Sequence, residues 1–323
     1  EIWTYRTWLA VNGPQAPAAD AKFAVAHLTV PLLIVQPGDQ LAAPPAETER
    51  IVAAAAGAAE AEIATISDSD YAFWDRVPQA VEVLCEWTER KIEHQELGKD
   101  TPVASPEPTS ELVHRLVTIT AADGLPHDAL LHIDEAALTR RAESTGKRTA
   151  IVHIHGNQGN FTVGTLRFMP PTLAQNGWPM LVLETRIGNV SQLFGSSMFE
   201  EALLDVAAGF DWLLAHGFDD VIVSGYSLGA SLAIRFASER EPPKLRGLLT
   251  LGASWSLPES TQARMLDHGA APTYDDVVAL AQPASEDAEL TDQIVVIRGV
   301  YGPSTSTHHA GVYTDRTWWH SRG

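Results

Sequence analysis

Residues 221–238 read VIVSGYSLGASLAIRFAS, and this stretch decides the fold. Val221 to Val223 form an apolar strand, Gly225-Tyr226-Ser227-Leu228-Gly229 a turn, and Ala230 through Ala237 a helix. The pattern G-x-S-x-G carries meaning in this setting of strand, sharp turn and helix. Gly225 and Gly229 lack a Cβ, so strand and helix can close around a strained residue between them. Ser227 then stands clear of a sheet, at the positive end of the helix that follows it. Turns of small residues join strands to helices in many α/β proteins; the flanks are what make Ser227 a candidate nucleophile.

Working outward, Leu248 to Leu251 is the next strand downstream. Upstream, Met180 to Glu184 is a strand leading into a Gly- and Ser-rich loop, and Ala150 to Ile154 is a strand ending in His155-Gly156-Asn157. Ser197 and Glu200 form a capping-box pair before a helix whose inner stripe is Leu203, Leu204, Ala207, Phe210, Leu213 and Leu214. Leu116 to Thr120 and Ala129 to Ile133 read as a hairpin around Asp123-Gly124. Residues 95–110 are charged and then Pro-rich, without periodicity, and read as a linker. Before the linker, Val30 to Val35 is an apolar run of the buried parallel kind, followed by Gly38-Asp39. A helix from Pro45 to Ala56, a strand from Ala61 to Ile66 and a helix opening near Pro78 complete this part. Residues 258–290 are helical and acidic, and Ile294 to Ile297 is a short strand-like run.

With these motifs in place the chain resembles the α/β-hydrolase superfamily. Residues 111–254 match its first six strands in order, while residues 28–92 look like its last two strands and helices. The resemblance implies an α/β fold, with a largely parallel eight-stranded sheet, helices on both faces, and a helical cap from the 187–197 loop and residues 255–290. The chain order is permuted. Residues 1–94 supply the C-terminal part of the fold and 95–110 the linker. Residues 111–323 supply the N-terminal part with the nucleophile elbow and cap, the whole making one domain.

The resemblance also implies a function: a serine hydrolase cleaving a small ester or amide through an acyl-enzyme. Ser227 matches the nucleophile. The oxyanion donors are the backbone N–H groups of Leu228 and of Asn157, the latter in a loop that resembles the family's HG signature. Asp39, after its apolar strand, matches the acid, in a turn one residue shorter than usual. The base is where the pattern breaks. Ser69-Asp70-Tyr71-Ala72-Phe73 puts Tyr71 at the expected histidine. A phenol with a pKa near 10 is about one part per thousand ionised at neutral pH, and loss of such a histidine lowers turnover on the order of a millionfold. Three readings stay open. His308 or His309 folds back over the site; the true base lies beyond Gly323; or the module is a catalytically weak binding unit. Members of the family that are dehalogenases or epoxide hydrolases place Asp at the nucleophile, which this chain does not.

One internal repeat stands out. Residues 2–13, IWTYRTWLAVNG, recur as residues 312–323, VYTDRTWWHSRG. Thr4, Arg6, Thr7, Trp8 and Gly13 return as Thr314, Arg316, Thr317, Trp318 and Gly323 in one ungapped register. A circular permutation and a window from a tandem array both account for it; either way residues 28–92 are expected to complete the sheet begun by residues 111–254, within one molecule or, in a domain-swapped dimer, with a second.

Composition sets outer bounds. The 323 residues carry a formal charge of −19, which argues against nucleic acid or an anionic membrane as partner. Cys85 is the single cysteine, so no intrachain disulfide forms, in keeping with a reducing, cytoplasmic setting. No signal peptide or membrane-spanning run is read in the sequence. No zinc spacing or phosphate loop occurs, so neither metal nor cofactor is expected.

Overall fold

The computed structural model describes residues 2–38, 43–74, 76–93, 111–157, 159–162, 167–189, 191, 197–285, 287, 290 and 292–300. The chain opens with β1 (Ile2–Thr4), α1 (Tyr5–Asn12) and the single turn α2 (Ala21–Ala24). Then come β2 (Leu32–Pro37), α3 (Pro45–Ala54), β3 (Ala61–Ile66) and α4 (Val77–Thr88). Next are β4 (Leu112–Thr120), β5 (Pro126–Asp134), α5 (Glu135–Thr145) and β6 (Thr149–Ile154). These lead to α6 (Met169–Gln175), β7 (Met180–Leu183), α7 (Ala202–Ala215), β8 (Asp220–Tyr226) and α8 (Leu228–Arg240). The described chain closes with β9 (Leu245–Leu251), α9 (Leu257–Asp267), α10 (Tyr274–Ala281) and β10 (Ile294–Val296).

Eight of these strands form one sheet in the order β3-β2-β9-β8-β6-β7-β5-β4. It is parallel from β3 through β7, while β5 runs antiparallel to β7 and β4 antiparallel to β5. The strand that ends at Ser227 is central, and every residue of it is buried. Alternation along the strands builds two cores. Val221 and Val223 of β8, Leu248 of β9, and Leu32 and Ile34 of β2 face one cluster, with Phe210 and Phe236. Ile222, Leu249, Leu33 and Val35 face the other, with Leu84 and Trp87 of α4. A sheet buried on both faces needs continuous apolar strands, which is why β2 reads LLIVQP with all six residues buried. Each fully buried aliphatic side chain of this kind contributes about 2 kcal/mol.

The described residues at the front of the chain, up to α4, therefore share both cores with the Ser227 strand. Leu32 to Val35 lie in register with Leu248 to Leu251 of β9, the immediate neighbour of β8. Several details differ from the sequence reading. The helix after the 187–197 loop begins at Ala202, without a side-chain cap, and the carboxylate of Glu201 instead accepts from the N–H of Met198 at 3.0 Å. β10 is not in the main sheet; it pairs antiparallel with β1, Ile2 opposite Val296 and Thr4 opposite Ile294. Helices α1, α2, α5 and α6 have no counterpart in the sequence reading. Thr4 caps α1 by accepting from Thr7 N–H, and Asp134 caps α5 by accepting from Ala137 N–H. Residues 95–110, the expected linker, and residues 312–323, the second copy of the repeat, lie outside the described residues.

Candidate active site at the end of the central strand

Ser227 sits between strand and helix with φ 54° and ψ −119°, in a region that L-residues rarely enter. The two glycines make that possible. A Cβ on Gly225 would lie 2.1 Å from the carbonyl oxygen of Gly229, and one on Gly229 would lie 2.3 Å from that of Ile154. Any side chain at either position would push helix and strands apart. The turn is fastened to the neighbouring strand by Ser227 N–H, which donates to Leu251 O at 2.9 Å. Ser227 is half-buried, and among the described residues nothing hydrogen-bonds to its hydroxyl. Leu228 begins the helix, so its N–H has no intrahelical acceptor and points out of the helix's positive end.

The loop after β6 lies against this turn. A Cβ on Gly156 would come within 3.2 Å of Ser227 Cβ and 2.9 Å of the Tyr226 ring. His155 fixes the loop's backbone. A carbonyl only accepts, so His155 Nδ1 donates to Gly156 O at 2.7 Å. Its Nε2 then accepts from Thr185 N–H at 3.3 Å and faces the Thr185 hydroxyl at 2.9 Å. Gly159 N–H donates to the same Gly156 carbonyl at 3.1 Å. The Gly156 carbonyl and the Asn157 N–H belong to one planar peptide, so pinning the first sets the direction of the second. Complete burial pushes His155 down to about 4, which keeps it neutral, with each ring nitrogen engaged.

A second loop, after β7, supports the first. Asn189 N–H donates to Gly159 O at 2.9 Å, and Gly188 packs so closely that a Cβ there would meet Glu184 Oε1 at 2.0 Å. The loop is anchored by Arg186, whose guanidinium donates to Asp205 at 2.8 and 3.1 Å and to Asp123 at 2.8 Å. Asp205 also accepts Arg186 N–H at 2.7 Å and is wholly buried. Its carboxylate and that of Asp123 raise the Arg186 pKa against the opposing effect of burial. The sequence reading singles out neither Arg186 nor Asp205, and takes Asp123 only as a turn residue. A visible signal was there: the charged run Glu184-Thr185-Arg186 directly after a buried strand, and one Asp inside the apolar stripe of α7.

The strands from the front of the chain reach the same place. Gly252 N–H donates to Val35 O at 3.0 Å, one residue after the Leu251 carbonyl that holds Ser227. Tyr71 is buried against Tyr226, ring centroids 5.3 Å apart, and its hydroxyl donates to Gly252 O at 3.1 Å. Gly38 N–H donates to Ser69 Oγ at 2.9 Å, joining the carboxyl ends of β2 and β3. Asp39 follows Gly38 directly and lies outside the described residues.

The expected base is the remaining element. Of twelve histidines, His94, His308, His309 and His320 lie outside the described residues. Among the rest no imidazole is hydrogen-bonded to Ser227. His153 lies behind the turn, fully buried against Ser224 Oγ at 2.8 Å and pushed down to about 3 by burial. His114 and His132 pair on the distant β4–β5 hairpin with their Nδ1 atoms 2.8 Å apart. Among the described residues no group of three or more His, Cys, Asp or Glu side chains is placed to hold a metal ion, and no helix is long and apolar enough to cross a membrane.

The architecture, a mostly parallel eight-stranded sheet flanked by helices with a strained serine at the end of the central strand, is consistent with an α/β-hydrolase-like fold. No protein-family model and no curated protein matches the chain. Among solved structures it is similar to the esterase Pf2001 of Pyrococcus furiosus, at 19% identity over 57% of this chain and 69% of that one, with a TM-score of 0.38. It is also similar to the hypothetical protein PA2218 of Pseudomonas aeruginosa, at 16% identity over 60% of this chain and 57% of that one, with a TM-score of 0.40.

Proposed function

We propose that this chain is a serine hydrolase of the carboxylesterase kind, cleaving a small, uncharged ester or amide through an acyl-enzyme. The observation that carries this reading is the backbone of Ser227, held at positive φ at the head of α8 by two glycines that tolerate no side chain. Strain of this sort is kept where it presents a reacting group. Ser227 Oγ attacks the substrate carbonyl, and the tetrahedral oxyanion is held by the N–H groups of Leu228 and Asn157. Each such donor is typically worth about 3–4 kcal/mol in the transition state. Asp39 is the acid. The base is His308 or His309, both outside the described residues. The 187–197 loop and residues 255–290 form the cap. The pairing of β2 with β9 supports reading the chain as a hydrolase scaffold in permuted order, with residues 28–92 taking the place of the last strands.

A second reading has an observation of its own. Tyr71 occupies the place of the family's histidine and donates its hydroxyl hydrogen bond to a backbone carbonyl, and among the described residues no imidazole engages Ser227. On that reading the module binds a small molecule without turning it over efficiently. Hydrolysis of p-nitrophenyl acetate separates the two. The hydrolase reading expects a rate that falls at least about 10³-fold in Ser227→Ala and by a similar factor in a His308→Ala/His309→Ala variant. A rate that Ser227→Ala leaves unchanged selects the binding module.

A further inference from the structure

The two copies of the repeat, residues 2–13 and 312–323, are the motif that the proposed hydrolase leaves unused. In the described structure residues 2–13 are β1 and α1, seated on β10, α9 and α10. All five positions identical in both copies serve this seat, although it also uses Trp3, Val11 and Asn12, which differ between the copies. Thr4 Oγ1 caps α1, accepting from Thr7 N–H at 3.3 Å, and pairs with the Thr7 hydroxyl at 3.1 Å. Arg6 reaches Asp292 at 3.2 Å. Trp8 is fully buried, its ring 5.4 Å from that of Tyr274. Gly13 ends the helix where a Cβ would lie 2.6 Å from Leu9 O. The half-buried positions Tyr5, Leu9 and Ala10 have diverged, to Asp315, Trp319 and His320.

We propose that the seat on β10, α9 and α10 accepts either copy, and that residues 312–323 of the same chain are its second occupant. Chain connectivity favours the same molecule. β10 ends at Val296, and the register places Val312 opposite it, where Ile2 now lies. Fifteen intervening residues at about 3.3 Å each far exceed the 4.8 Å or so between paired strands. In the exchanged state Thr314 is the cap, Arg316 pairs with Asp292 and Trp318 fills the pocket beside Tyr274. Asp315 in the first turn gains from the helix dipole. The second copy is the weaker occupant, because Ser321 replaces buried Val11 and Arg322 replaces Asn12, which accepts the Thr261 hydroxyl at 2.8 Å.

The test is a thermal-unfolding cycle on the full chain. Trp318→Ala alone leaves Tm unchanged, Trp8→Ala lowers it by a few degrees because the second copy takes the seat, and the double variant lowers it by roughly 10 °C. Equal losses from Trp8→Ala with and without Trp318 would overturn the proposal, as would failure of Trp8→Ala alone to fold. A second measurement is independent of stability. In a Cys85→Ser background, Val295→Cys and Tyr313→Cys form a disulfide within one chain on mild oxidation, in higher yield when Trp8→Ala is added. No disulfide, or one only between chains, would overturn it.

Discussion

The hydroxyl of Tyr71 donates to the carbonyl of Gly252 at 3.1 Å, one residue from the Leu251 carbonyl that fastens Ser227. This buried side chain is thus tied to the backbone at the end of β9. Gly252 leaves room for it: at φ 58°, a Cβ there would lie 2.8 Å from the Tyr71 ring. Tyr71 is a structural clasp between the front of the chain and the central strands.

Tyr71→Phe tests that role. The variant leaves a buried carbonyl without its donor, a loss of about 1–3 kcal/mol in urea unfolding. It changes p-nitrophenyl acetate hydrolysis by no more than about threefold, since the hydroxyl takes no proton from Ser227. A fall of 10³-fold or more, of the order seen when a triad base is removed, would show Tyr71 to be the base.

Much of this was readable from the residues. Gly225 and Gly229 announced the turn because no other residue fits there, and the apolar runs at Leu32 to Val35 and Val221 to Val223 announced strands buried on both faces. What stayed hidden was long-range. The strand-like run at Ile294 is β10, but its partner β1, 290 residues away, has no pattern of its own and owes its existence to that pairing. The Ser197–Glu200 pair matched a capping box by spacing, yet the helix opens at Ala202, where Glu201 turns back to Met198 N–H. The service of His155 to the Gly156 peptide needed Thr185 from another strand, a partner no local pattern reveals.

Arg186 yields a sharper stability prediction. It is buried with Asp205, which is wholly inaccessible. Arg186→Leu strands that carboxylate and lowers stability by about 3–5 kcal/mol, whereas Arg186→Leu with Asp205→Leu recovers most of the loss. Equal destabilisation in both variants, by urea unfolding, would mean that the pair matters only through its shape.

The buried histidines set the acid limb of stability. His153, His155 and His132 are pushed down to about 3, 4 and 4 by burial, from an ordinary value of 6.5. Between about 6.5 and 4 the unfolded chain binds protons that the folded one refuses, so stability rises with pH across that window and is fully present above it. Unfolding free energy measured from pH 7 to 4.5 should show an uptake approaching roughly three protons. His153→Ala and His155→Ala would each remove about one from that slope. A flat profile would mean that these imidazoles are charged in the folded protein.

The most direct measurement is intact-mass analysis of the native protein after brief exposure to a fluorophosphonate. If the strained turn presents a working nucleophile, one adduct per chain forms quickly, maps to Ser227 and is absent from Ser227→Ala. A native protein that takes up no label, or takes it up at another residue, would contradict the assignment of Ser227 as the nucleophile of a hydrolase.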